Sequence, residues 1–248
     1  MPDLNLGTIK PAAAKKIKPF LEDLLSRYED KIHSIHVTGT AITDDFDEKV
    51  SDVNSIIVLK EMDVTFLQLL APLGKKYRRD RIAAPLIMTP EYIETSLDVF
   101  PVEFYNFKLI HSTVFGESIF TYIEIDRMNL RHQCERELKT KLIWLRQGYI
   151  SSMGNRKILT EGFVRSITDY IPLFRAIIAL FGTEPPVRQK EVITALSDTV
   201  NINTDVFASV LKEKHDKVKL SLEELNTIFE DYYAATEALG KIVDQINE

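Results

Sequence analysis

Cysteine is almost missing from this chain: Cys134 is the only one in 248 residues. No internal disulfide can form, a zinc site built on cysteines is excluded, and Cys134 itself reads as a small buried residue. Long apolar runs are missing too. The longest nearly apolar stretch, residues 176–181, is far too short to cross a bilayer. The opening Met-Pro-Asp-Leu-Asn-Leu lacks the basic start and apolar run of a secretory signal. The expectation is a cytoplasmic protein with no membrane partner. Excess positive charge is also lacking, and a formal net charge of −6 argues against tight nonspecific binding to a polyanion. Neither Gly-x-Gly-x-x-Gly nor Gly-Lys-Ser/Thr occurs, so dinucleotide-fold and P-loop chemistry have no support.

What is present describes a folded protein: 45% hydrophobic and 27% charged residues, a balance that can bury a sizeable core without disulfides. Two halves differ in texture. Residues 31–107 alternate short β-like runs with helical stretches, whereas from Asp126 onward helix follows helix. The expected fold is therefore α+β, a mixed sheet with helices over residues 1–123, then an all-α bundle over 124–248. With no Gly/Ser linker, the halves are expected to pack directly.

Strands are expected over the segment ending at Thr38-Gly39-Thr40, over residues 53–59, over 84–88 and over 99–107. Pro11 is expected to open the first helix, and residues 62–79 form another. Thr89-Pro90 reads as a cap with proline at the first helical position. In the second half, a long helix should stop at Gly154-Asn155. The next should end at Gly182 and be kinked or split by Pro172. Pro185-Pro186 should start a shorter helix, Asn203 or Thr204 cap another, and Ser221 with Glu224 form a capping box for the last. Trp144, Tyr149 and Phe163 fall at helical apolar positions and read as core. The basic run of residues 75–81 reads as a solvated helix end, and Asp44, Asp45, Asp47 and Glu48 as a solvated acidic loop.

One constellation carries chemistry. His36-Val37-Thr38-Gly39-Thr40-Ala41 is a strand running into a glycine turn. After a short acidic loop, Ser51-Asp52-Val53-Asn54-Ser55-Ile56-Ile57-Val58-Leu59 opens the next strand. Residues 52 and 54, two apart on a strand, face the same side. The pattern resembles the nucleotidyltransferases of the polymerase-β superfamily, which carry Gly-Ser and then, roughly ten to fifteen residues later, Asp-x-Asp opening an apolar strand. Gly39-Thr40 is similar to the Gly-Ser, Asp52 matches the first aspartate, and Asn54 stands where the second belongs. Glu103, in Asp98-Val99-Phe100-Pro101-Val102-Glu103, is identified with the third carboxylate on a neighbouring strand.

The resemblance implies transfer of a nucleoside monophosphate from a Mg²⁺-bound nucleoside triphosphate to a hydroxyl or phosphate acceptor. Asp52 and Glu103 would be the catalytic carboxylates, and Asp52, Asn54 and Glu103 the Mg²⁺ ligands. Gly39, Thr40 and Ser51 would contact the nucleotide. The amide at position 54 removes one negative charge from such a site, which also admits an inactive protein of the same fold that binds a nucleotide or a partner. The broad apolar faces of the helical half allow self-association. Arg127, Arg131 and His132 have a spacing known from helical ribonucleases but not that family's setting, and are taken as ordinary helix residues.

Overall fold

In residues 32–38, apolar side chains at Ile35 and Val37 alternate with Ser34, His36 and Thr38, and the chain extends as strand β1 (Ile32–Thr38). The computed structural model describes residues 3–216 and 220–246. β1 pairs antiparallel with both β2 (Asn54–Leu59) and β4 (His111–Gly116), and β2 pairs in parallel with β3 (Leu86–Met88). The mixed sheet has the order β3-β2-β1-β4, and the fold is α+β.

Period-two alternation sorts the sheet into two faces. Ile35 and Val37 of β1, Ile57 and Leu59 of β2 and Val114 of β4 share one core with two helices. Helix α1 (Pro11–Tyr28) contributes Ile17, Phe20, Leu21 and Leu24 at spacings of three and four; α2 (Val64–Tyr77) contributes Phe66, Leu70 and Leu73. Pro11 opens α1, and Asp63 caps α2 by accepting the Thr65 N–H. The opposite face mixes polar residues of β1 with Ile56 and Val58 of β2. In register, Ser34 lies opposite Val58, His36 opposite Ile56 and Thr113, and Thr38 opposite Asn54 and His111.

The segment at residues 99–107 is not a strand. It forms helix α4 (Pro101–Leu109), preceded by the short α3 (Pro90–Glu94), which Thr89 caps as expected. Pro101 suits a first helical position, and the buried amide of Gln133 accepts the Val102 N–H at 2.8 Å. That partner comes from 31 positions away, so the choice between helix and strand was made by tertiary contact and not by local pattern.

The second half is helical: α5 (Arg127–Ser152), α6 (Arg156–Leu180), α7 (Gln189–Val200), α8 (Asp205–Asp216) and α9 (Leu222–Asp244). α6 passes through Pro172 unsplit. Pro185-Pro186 does not start α7, which begins at Gln189 with Arg188 as its cap residue. The Ser221–Glu224 capping box is present, and the Asn203 Oδ1 accepts the Asp205 N–H at 2.8 Å. Apolar residues of α5 to α9 form one core, with Phe174, Phe207 and Tyr232 fully buried in it. The chain divides into two compact units, Met1–Leu97 with Phe107–Glu124, and Asp98–Asn106 with Ile125–Glu248. Among the described residues no helix is long and apolar enough to cross a membrane.

Two positions of the first unit are testable. Gly116, at φ 72°, has no room for a side chain: an added Cβ would stand 2.1 Å from the His33 carbonyl oxygen. Gly116→Ala is expected to cost at least about 3 kcal/mol in urea unfolding, from left-handed strain and backbone clash together; an unchanged midpoint would contradict the register. His36 is fully buried, and burial, with His111 and His33 nearby, pushes its pKa down to about 3 from 6.5. It stays neutral in the folded protein, while the unfolded chain takes up a proton near pH 6.5. Its contribution to stability is complete above that pH and falls as the pH drops toward about 3. His36→Gln should therefore flatten the loss of stability between about pH 6.5 and about pH 4. Parallel pH profiles for the two proteins would contradict the buried neutral state.

Candidate functional site

The turn after β1 and the head of β2 meet because Thr38 and Asn54 are cross-strand partners. Gly39 follows Thr38 at φ 72°, a backbone conformation that glycine adopts without strain. It opens a 3-10 turn, Gly39–Ile42, in which the Thr40 carbonyl accepts the Thr43 N–H at 2.9 Å. The Asn54 amide nitrogen lies 3.5 Å from the place where a Gly39 Cβ would be. Thus Gly39 and Asn54 face one another across the mouth of the two strands.

Asp52 and Asn54 are exposed while Val53 between them is fully buried, so the two polar side chains share a side, as the strand period requires. Ser51 acts locally, since its hydroxyl accepts the Asp47 N–H at 3.0 Å and closes the acidic loop. In that loop, Asp44 pairs with Lys10, and Asp47 accepts the Lys49 N–H at 2.7 Å.

Arg81 is a residue that the sequence pattern does not single out. It lies in the basic run assigned to a solvated helix end, of which Lys76 pairs with Asp23 at 2.6 Å. The backbone of Arg81 is left-handed, at φ 59°, and its carbonyl accepts the Val53 N–H at 2.8 Å. The guanidinium donates to the Val50 carbonyl at 3.2 Å and stands 3.5 Å from Asp52 Oδ1. A run of lysines and arginines gives no sign of which member will turn back; the bridge between Val53 and Ile82 decides it.

Glu103 is not on a strand beside Asp52. It belongs to α4 and to the other compact unit, where its Oε2 accepts the Gln133 side-chain N–H at 2.7 Å. The same Gln133 holds Val102, so Glu103 is part of the clamp on the first turn of α4. Among the described residues none of the four strands contains an aspartate or a glutamate.

Histidines and hydroxyls line the sheet instead. His36 is hydrogen-bonded to Ser34 at 2.9 Å and to Thr113 at 3.0 Å, and its ring meets Phe120 edge-on at 4.8 Å. Burial also lowers the pKa of His111. A resident Mg²⁺ does not fit these residues: the mouth offers one carboxylate and one amide, with a guanidinium beside the carboxylate. No group of three His, Cys, Asp or Glu that could hold a metal ion occurs among the described residues. The mouth thus sets a turn with no Cβ near the Asp52–Arg81 pair.

The chain matches no protein-family model and no curated protein sequence. Among solved structures it is similar to spectinomycin adenyltransferase from Enterococcus faecialis, crystallised with ATP and spectinomycin. The two are 13% identical, the match covers 88% of this chain and 98% of that one, and the TM-score is 0.39. A likeness of that degree leaves the function to be read from the residues at the mouth of β1 and β2.

Proposed function

We propose that this chain is a nucleotidyltransferase-type protein that binds a nucleoside triphosphate at the mouth of β1 and β2, with its capacity for transfer reduced. One observation carries the reading: the Gly39 turn, the Asn54 amide and the Asp52–Arg81 pair converge there. The bare turn lets a phosphate approach the backbone, and Arg81 supplies a fixed cation for it. A nucleoside triphosphate would bring its own Mg²⁺, and Asp52 is the one carboxylate the mouth would offer it. Asn54 adds an amide oxygen without charge, so the grip on the cation is weaker than two carboxylates would give. Nucleotidyl transfer rests on positioning and on charge stabilisation, and both suffer from the missing carboxylate. Glu103, held by Gln133, has no assigned part in this reading.

Calorimetry with the Mg²⁺ complexes of ATP, GTP, CTP and UTP should show binding of at least one. Arg81→Ala should weaken that binding about tenfold, the loss of one charge-assisted contact. If no nucleotide binds, the reading is lost. Pyrophosphate release separates binding from transfer: Asn54→Asp should raise it above the wild-type rate. If neither Mg²⁺ affinity nor release changes, Asn54 does not occupy the place of the second aspartate.

A further inference from the structure

Trp144 and Tyr149 belong to helical apolar positions, yet neither lies in the core: Trp144 is 65% exposed and Tyr149 36%. Both stand on the rim of a cavity of about 360 Å³ in the helical unit, between α5, α6 and α9. The Tyr149 ring stacks on Phe229 at 4.3 Å and its hydroxyl donates to Asn226 Oδ1 at 3.0 Å, which fixes one wall. Phe163 and Leu159 form the buried floor. Gly148 and Gly162 border the opening, and a Cβ on either would meet nothing within 4 Å. The space is kept open by the sequence, since larger residues would fit at both positions.

The cavity is apolar but not neutral. Its charged lining is Lys141 and Arg165 against Asp169, one positive charge in excess, in a chain whose net charge is −6. Among the described residues, Lys141 makes no hydrogen bond or ion pair; its ammonium lies 4.7 Å from the centre of the Tyr170 ring. Burial lowers its pKa, while Asp169 and Glu137, out of contact, favour the charged form. A half-buried ammonium with three donors and no acceptor is a strong demand for an anionic partner.

We propose that this cavity binds a small amphipathic organic anion, with its apolar body between Trp144, Phe163 and Phe229 and its charged end on Lys141. A cavity of this volume is in the range that holds small ligands, and one placed polar group among aromatic walls is their usual setting. The site lies wholly in the helical unit and is independent of the nucleotide reading.

Trp144 is the only tryptophan in the chain, so its fluorescence reports a ligand bound beside it. The full-length protein is titrated with anilinonaphthalene sulfonate, an aromatic anion, and with the neutral N-phenylnaphthylamine, both followed by energy transfer from Trp144. Both probes should bind. Lys141→Met should weaken the anion about tenfold and leave the neutral probe unchanged. Gly162→Phe, which fills the opening from a position with free space, should remove both. The proposal fails if neither probe binds to the wild type. It also fails if Lys141→Met leaves the anion unaffected or weakens both probes alike, or if Gly162→Phe leaves the anion bound.

Discussion

Strand β1 is hydrogen-bonded along both edges, to β2 and to β4, and the rest of the first unit follows from that. A strand paired on two sides cannot slip by one residue without turning every side chain over. Ile35 and Val37 are thereby committed to the core beneath α1 and α2, and Ser34, His36 and Thr38 to the other face. The same register ends with Thr38 opposite Asn54, which brings the Gly39 turn against the head of β2. Gly116 closes the other end, where β4 comes so near β1 that only glycine fits. A mouth between a turn and a strand is thus a consequence of register before it is a feature of chemistry.

Charge gives this mouth its character. A carboxylate pair on one strand face can grip a divalent cation; here Asp52 and Asn54 share a side and carry one negative charge between them. Arg81 then stands beside the remaining carboxylate. Deeper on the sheet the polar residues are hydroxyls and imidazoles, of which His36 is held neutral by burial. The head of β2 thus presents one carboxylate, one amide and one guanidinium, and the sheet beyond it hydroxyls and imidazoles.

Much of this was legible in the sequence because much of it is local. Pro11, Thr89, Gly182 and the Ser221–Glu224 box mark helix ends through a single bond or a single torsion. The alternation in β1 and the spacing in α1 declare which face is buried. The failures have a common cause in distant contacts. Residues 99–107 mix apolar and polar positions in neither period, and Gln133 settles them as helix. With the strand lost, Glu103 loses its expected neighbourhood. Arg81 could not be chosen from its basic run, because the bridge between Val53 and Ile82 aims it. Trp144 looked like core because periodicity counts apolar residues and does not register a cavity that two glycines leave open.

The central claim is that a nucleoside triphosphate settles on the turn after β1 and on the head of β2. Hydrogen–deuterium exchange read by mass spectrometry, with and without MgATP, addresses it directly. The account predicts slower exchange in the peptides that contain Gly39 to Ile42 and Asp52 to Asn54. Protection confined to other peptides, with these unchanged at saturating nucleotide, would contradict it.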